Sequence, residues 1–435
     1  MKNYLEINLE TNDPDLSERI RIDVKQIRIP SSPPYLLPVP TVPVEPLGTE
    51  MRVIHSRKSV TQNDDRRIVH YAADHSGCGW WRLNLIEQLV NYTKKGHITH
   101  TDILMDPFKV DYWGRNVIAL RIQRLVRPET MAYMRDLRSV IEHMRLPLRL
   151  IYEMDDVVLG CNIPSFNISK STFERDEIQK SIIYNIKQCD EFTVCSEYMR
   201  DVYQEFLPHT NITVIPNFAT KEWFGHVYDY DYIMRKYEEH KKRPRVLLTC
   251  SGTHFIPWNT NPYDSTDYSH VLDDMIAARK DFEFVWFGSY PNLVQPFIDS
   301  GEMEAIHWGY PTDYPWTIKE AGCQLSIAAL IDNDFNRAKS AIKFEEACFE
   351  GLPFVGQDLN CYKDAFHKFN TGAEMIDLMK SVVKDEETYS HEVLQARAAA
   401  DNWWMDDKVD DILKVYTTPF GDESRNAEWF KKLNG

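Results

Sequence analysis

The sequence predicts an α/β protein built from two Rossmann-like, doubly wound parallel-sheet domains, and three observations predict it. At 435 residues the chain exceeds one ordinary core, so two domains of roughly 150 to 200 residues plus appendages are expected. Short apolar runs alternate with amphipathic helical patterns in two successive arrays, as βα units do. A polar and charged stretch, Tyr228 to Arg245, separates the arrays and marks a boundary. The expected division is an N-terminal arm with a small β element over 1–64, a first domain over 65–227, a linker over 228–245, a second domain over 246–400 and a helical tail over 401–435.

In the arm, Tyr4 to Leu9 and Ile20 to Ile29 alternate in strand fashion, while the proline-dense segment from Pro30 to Pro46 excludes a helix or a central strand. The first domain opens with the apolar run IVHYAA, a loop DHSGCGWWR and a helix from Leu83 to Thr93. Gly77 and Gly79 there allow close approach of backbone to a ligand, with Arg82 following at the helix start. Further strands are expected at Val117 to Leu120, Leu148 to Tyr152, Glu191 to Cys195 and Ile212 to Ile215. Glu153, Asp155 and Asp156 then bunch at the carboxyl end of a strand, where doubly wound sheets keep their sites. Metal ligation, hydrogen bonding to acceptor hydroxyls and capping of the next turn all fit these three carboxylates. The second array runs from the strand and loop VLLTCSGTH through FEFVWFGSYP, AIHWGY and CQLSIAAL. Its candidate ligand loops carry Gly252, Thr253 and His254, and Gly288 and Ser289. After Asp385 a helical pattern runs to the end.

The stretch Phe335 to Val355, FNRAKSAIKFEEACFEGLPFV, reads as a polar loop, an amphipathic helix, a glycine cap and a short strand. Lys339, Ser340 and Lys343 fall around the first helical turn, where free N–H groups and the macrodipole favour an anion. Glu346 follows three residues after Lys343, on nearly the same face. Cations on phosphate and a carboxylate on ribose hydroxyls would suit a nucleoside diphosphate, and a solvated helix start with ordinary caps is the alternative.

The net charge of −16 argues against a generic polyanion binder, yet it is unevenly spread. Residues 51–150 carry a balance of +7 and residues 251–435 one of −16, so the early half can face a polyanion that the late half repels. The eight cysteines, at 78, 161, 189, 195, 250, 323, 348 and 361, form no metal-binding spacing and read as reduced core residues. With no long apolar run and no leader pattern, a soluble cytoplasmic protein is expected.

Four features together resemble the GT-B glycosyltransferases: two similar α/β halves, SGxGxxR after the first strand, VIPN at 214–217 and EAxxxGLPxV at 346–355. More narrowly, they are similar to the large retaining family that uses nucleotide sugars and carries a Glu-x7-Glu motif. The likeness covers about residues 66–415. Glu346 matches the second glutamate, which in the family binds the donor ribose, whereas the first would fall at Ala338 and is absent. The N-x-x-K-S-x-x-K pattern from Asn336 to Lys343 and the stretch YEMDDVVLGCNIPSFN resemble a phage and bacterial subgroup.

The resemblance implies a donor on the second domain, an acceptor on the first, chemistry in the cleft between and a tail returning to the first domain. Lys339, Lys343, Ser340 and Arg337 would stabilise the departing β-phosphate, aided by Gly77, Gly79 and Arg82 from across the cleft. Thr253 and His254, with Gly252, Gly288 and Ser289, would border the diphosphate or sugar, and Tyr310 and Pro311 would line the base pocket. Asp155 and Asp156 would share in catalysis, and Glu153, Arg121 and Arg124 would face the acceptor. Transfer with retention and without a required metal is implied; the co-substrate is a nucleoside-diphosphate sugar and no further cofactor is expected. The acceptor implied by the subgroup, and by arginines at 115, 121, 124, 127, 135, 138, 145 and 149, is a hydroxymethylated pyrimidine in phage DNA, reached in the host cytoplasm. The alternatives are a glycan or lipid-linked acceptor at a membrane surface and a non-catalytic GT-B binding protein.

Overall fold

The computed structural model describes residues 4–8, 19–23, 67–74, 76–101, 103–160, 163–255 and 266–417. By its contacts the chain divides into two compact units, Met1–Thr61 and Gln62–Gly435. In the first unit, β1 (Tyr4–Asn8) pairs antiparallel with β2 (Arg19–Asp23), Tyr4 opposite Asp23 and Asn8 opposite Arg19. The proline-dense segment lies outside the described residues, as do the last 18 residues of the expected tail.

The second unit holds two six-stranded sheets. One contains β3 (Arg67–Tyr71), β4 (His97–Thr101), β5 (Val117–Gln123), β6 (Arg149–Glu153), β7 (Glu191–Val194) and β8 (Ile212–Val214), in the spatial order β4-β3-β5-β6-β7-β8. The other contains β9 (Arg245–Cys250), β10 (Glu283–Gly288), β11 (Glu304–Ile306), β12 (Leu325–Ala328), β13 (Phe354–Gln357) and β14 (His367–Phe369), in the order β11-β10-β9-β12-β13-β14. Every pairing in both sheets is parallel. The central strands are buried on both faces, as parallel sheets covered by helices require, and β5 and β6 carry buried Arg121, Gln123, Arg149 and Glu153 among their apolar residues. In each sheet the strand order reverses beside the first strand of the array, β3 in one and β9 in the other. The loops after β3 and β9 therefore stand at switch points, where open α/β sheets bind ligands.

Helix Leu85–Thr93 buries Leu85, Ile86, Leu89 and Val90, the apolar stripe read from its period. Helix Ile342–Glu350 ends at Gly351, whose φ is 72°. A Cβ at Gly351 would also lie 2.6 Å from the Tyr228 ring, so only glycine suits the left-handed cap. The stretch between the arrays contains a helix, Tyr230–His240, docked on helix Glu386–Ala400 by a Tyr237–Tyr389 stack with centroids 4.4 Å apart. Two edge strands, β4 and β14, carry no readable apolar pattern in the sequence, being HITHT and HKF. Among the described residues no helix is long and apolar enough to cross a membrane.

Candidate active site

The two switch-point loops face one another across a cavity of about 940 Å³. From the first sheet, the glycine loop after β3 turns tightly. The Asp74 carboxylate accepts the N–H groups of Ser76 and Gly79 at 2.9 and 3.1 Å. A Cβ on Gly79 would lie 1.8 Å from the Asp74 carbonyl oxygen, so Gly79 is required by the turn itself. It stands behind the cavity wall, while Gly77 lines it.

Behind this turn the helix opens with a π-helical segment, Trp80–Asn84, that delivers Arg82 inward. Arg82 is 1% exposed. Its Nε donates to Glu153 Oε1 at 2.6 Å, and its Nη1 donates to the Ile215 carbonyl at 2.5 Å and to Asn217 Oδ1 at 3.0 Å. Nη2 has no hydrogen-bond partner among the described residues, although the residue lines the cavity. A buried guanidinium with a spare N–H pair is suited to an anion.

Glu153 and Arg121 correct the expectation of acceptor binding. Both are fully buried beneath the cavity and neither lines it. Arg121 donates to Glu153 through Nη2 and to the Tyr416 hydroxyl through Nη1 at 2.8 Å. Burial alone would raise the Glu153 pKa, but Arg121 and Arg82 outweigh it and hold the carboxyl below its ordinary range. Tyr416 belongs to helix Val409–Thr417 and also meets His70 Nε2 at 3.0 Å, so the tail helix is fastened to the first sheet through this network. Arg124 does line the cavity, bonded to Asp74 and 3.4 Å from Asp155.

Asp155 and Asp156 lie on the same wall. Burial raises the Asp155 pKa, opposed by Arg124 and reinforced by Asp156. Across the cavity, Lys339 Nζ is 3.7 Å from Asp156. Burial would lower the Lys339 pKa, but Asp156 and Asp267 hold it above the ordinary value. Lys339 and Ser340 sit in a loop just ahead of helix Ile342–Glu350, and Lys343 occupies its second position. All three line the cavity, as do Thr253, His254, Pro311 and Glu346.

Glu346 is held at a pKa of about 7 by burial, with hydrogen bonds from Tyr314 and Thr249 and the charge of Lys343 pulling it down. Ala338, at the position of the absent glutamate, is fully buried in the core of the first sheet's domain, and its carbonyl accepts the Ser196 hydroxyl at 3.1 Å. A glutamate there would bury an unpaired charge in the seam.

Other expected donor residues fall outside the lining. Arg337 is engaged by Asp332 and Asp334, with contacts from 2.7 to 3.1 Å. Gly288 ends β10, Ser289 follows it and Gly252 lies just after β9, none of them in the lining, and Tyr310 is 77% exposed. The sequence reading missed an aromatic wall made by Trp80, Trp81, Trp223, Trp308 and Tyr314. Trp223 packs edge-on to Trp81 at 5.0 Å, lies stacked with Tyr314 at 6.2 Å and donates its Nε1–H to the Pro311 carbonyl at 2.9 Å. The adjacent GWW triplet was a usable signal, but Trp223 and Trp308 lie far apart in sequence and only the fold joins them. The wall offers flat apolar surface and the lysine side offers positive charge, so the cavity can hold a ring beside a diphosphate.

No family model matches the sequence, and no curated protein matches it. Among solved structures the chain is similar to sucrose-phosphate synthase from Thermosynechococcus elongatus, at 10% identity and a TM-score of 0.52 over 81% of this chain and 98% of that one. It also aligns with S. aureus TarM, determined as a point mutant with Fondaparinux, alpha-GlcNAc-glycerol and UDP, at 13% identity and a TM-score of 0.45 over 76% of this chain. The chain spans 59% of the length of that TarM structure. These neighbours are GT-B glycosyltransferases. Two six-stranded parallel sheets flanked by helices, in this arrangement, give the chain the GT-B fold.

Proposed function

We propose that the chain is a glycosyltransferase that moves a sugar from a nucleoside-diphosphate sugar to an acceptor hydroxyl. The observation that carries this reading is the meeting of Lys339, Lys343 and Arg82 with Glu346 in one cavity between two switch points. Departure of the nucleoside diphosphate leaves negative charge on the β-phosphate. Fixed cations at that place stabilise the transition state without reorganising. The donor then lies along the second sheet, with Glu346 on the ribose hydroxyls, and the acceptor lies against the wall bearing Asp155 and Asp156. Lacking an assigned covalent nucleophile, the reading has the acceptor hydroxyl attack on the leaving-group face, with retention, and give its proton to the departing phosphate. The GT-B fold shared with sucrose-phosphate synthase supports the class of reaction by analogy.

The acceptor is the finer part of the proposal. A hydroxymethylated pyrimidine in phage DNA follows from the sequence pattern and the arginine run, yet the fold engages much of that run internally. Arg138 pairs with Asp190 and Arg149 with Glu191, at 2.6 and 2.7 Å, while Arg121 is buried on Glu153. Arg127, Arg135 and Arg145 are left at or near the surface, a thin footing for a duplex whose binding grows with each phosphate neutralised. A glycan or lipid-linked hydroxyl fits the carboxylate wall as well. The reading is tested by mass spectrometry of modified DNA and of a glycan panel after incubation with the protein and a panel of nucleotide sugars, in excess chelator. A sugar mass added to one acceptor is the expected result. Failure of every donor to bind by calorimetry would leave a binding protein with a degenerate donor site.

Glu346 adds a pH dependence. Its raised pKa means that the folded chain holds a proton that the unfolded chain has lost between the ordinary carboxylate range and about 7, so this group's contribution to stability falls as pH rises through that window. Ribose hydroxyls are better held by the ionised form. UDP affinity is therefore expected to rise between about pH 6 and 8, and this limb should flatten in Glu346→Gln, measured by calorimetry at matched ionic strength.

A further inference from the structure

His254 lies beneath the two lysines in a hydrogen-bonded frame that reaches outside the cavity. His254 is 6% exposed, and its Nδ1 meets Asp267 Oδ2 at 2.7 Å. Asp267, 2% exposed, does not line the cavity. Its other oxygen, Oδ1, accepts Asn336 Nδ2 at 2.6 Å and the Ile331 N–H at 3.4 Å. Its own N–H donates to the His254 carbonyl at 3.0 Å. Asn336, fully buried, adds a bond from Nδ2 to the Ile331 carbonyl at 2.9 Å. On the cavity side, His254 Nε2 is 3.4 Å from Lys343 Nζ.

An ionised carboxylate only accepts hydrogen bonds, so Asp267 requires the proton on Nδ1 and leaves a lone pair on Nε2. An ammonium donates only, and it finds that lone pair. The opposite tautomer would set an N–H against the Lys343 ammonium. Burial, and then the charge of Lys343, push the His254 pKa down to about 4, which keeps the ring neutral and able to accept.

We propose that His254 and Asp267 are positioning residues of the donor site. Asp267 fixes the His254 tautomer, His254 aims the Lys343 ammonium at the diphosphate, and Asn336 ties the Lys339 loop to the same frame. The proposal rests on the donor reading above and gives His254 a role through Lys343 rather than on the sugar. It also gives Asn336, in the N-x-x-K-S-x-x-K stretch, a physical role, since its one amide spans Asp267 and the Ile331 carbonyl.

Two measurements test it. In long-range ¹H–¹⁵N spectra of the labelled 435-residue chain, with His254 assigned from its loss in His254→Gln, the wild type is expected to show a protonated Nδ1 and an unprotonated Nε2. Asp267→Asn should shift the ring to the other tautomer. A protonated Nε2 in the wild type would overturn the proposal without reference to any ligand. In calorimetric titrations with UDP, His254→Leu should bind about tenfold more weakly. His254→Gln, whose amide oxygen can take the place of Nε2, should stay within about threefold of wild type. A merely structural histidine would not distinguish glutamine from leucine in this way, so equal losses in both variants overturn the positioning role. Should Asp267→Asn fail to fold by circular dichroism, the glutamine and leucine pair decides. Absence of UDP binding to the wild type would count against the donor reading with UDP, while the tautomer spectrum still decides the frame.

Discussion

Replacing Lys343 with alanine is expected to lower turnover by about 10²- to 10³-fold, the loss seen when one fixed donor to a developing oxyanion is removed. Lys343 is partly exposed at the start of helix Ile342–Glu350, so the helix and the core beneath it should survive, and circular dichroism should match wild type. The loss should fall mainly on kcat, because the negative charge that the ammonium meets is greatest as the diphosphate departs. Lys339→Ala should be milder. Lys339 stands beside Asp156, and part of its charge is already engaged. Near-normal turnover in Lys343→Ala would mean that the donor lies elsewhere in the cleft. The measurement is steady-state release of nucleoside diphosphate with the donor identified by the panel.

Glu153→Gln is expected to destabilise the first sheet's domain by about 3 to 5 kcal/mol. The reason is that Glu153 is the shared anionic partner of two buried guanidiniums, Arg82 and Arg121. Its removal leaves two cations uncompensated beneath the cavity, and it also releases the Thr193 hydroxyl that bonds the carboxylate. Because the folded pKa of Glu153 is depressed, its contribution is present above the ordinary glutamate range and is lost as pH falls through the folded value. Urea unfolding should therefore separate variant from wild type at neutral pH and less so in acid. The transition that reports loss of the first sheet's domain is the one to follow, since a chain with two such sheets need not unfold in one step. An unchanged midpoint at neutral pH would show that the two arginines are not held by this carboxylate.

Stability and donor binding are coupled at Arg82, which pairs with Glu153 and lines the cavity. Glu153 holds its guanidinium through Nε. A Glu153→Gln variant that still folds should therefore also bind UDP more weakly.

Much of the architecture is local and was legible. Apolar runs such as Val117 to Leu120 and the helical period of Leu85–Thr93 fix element type by burial alone, and the amino-acid pattern records burial directly. Gly351 was visible as a cap because glycine answers a backbone demand, whereas Gly79, read as a place of close approach to a ligand, is required instead by the turn against Asp74. The lysines near the start of helix Ile342–Glu350, together with Glu346, were legible because helix geometry sets their spacing. The edge strands β4 and β14 were not, since an edge strand half covered by neighbours keeps no apolar alternation.

Sequence by itself determined the α/β class and the two βα arrays, and it singled out the stretch from Asn336 to Glu346 as the candidate place for a nucleoside diphosphate on which the proposed function rests. The tertiary structure alone decided which charges remain available there. Arg121 and Glu153 look like surface ligands when only their residue types are known, but the sheet closes over them and turns both into scaffold. Trp223 and Trp308 become one wall only when the chain folds back. Asp267 and His254 meet Asn336 across a span that no local period encodes. A sequence records each side chain's chemistry, whereas the partner that neutralises or orients it is set by contacts between distant segments, and those contacts decide function in the cleft that opens beyond Phe335 to Val355.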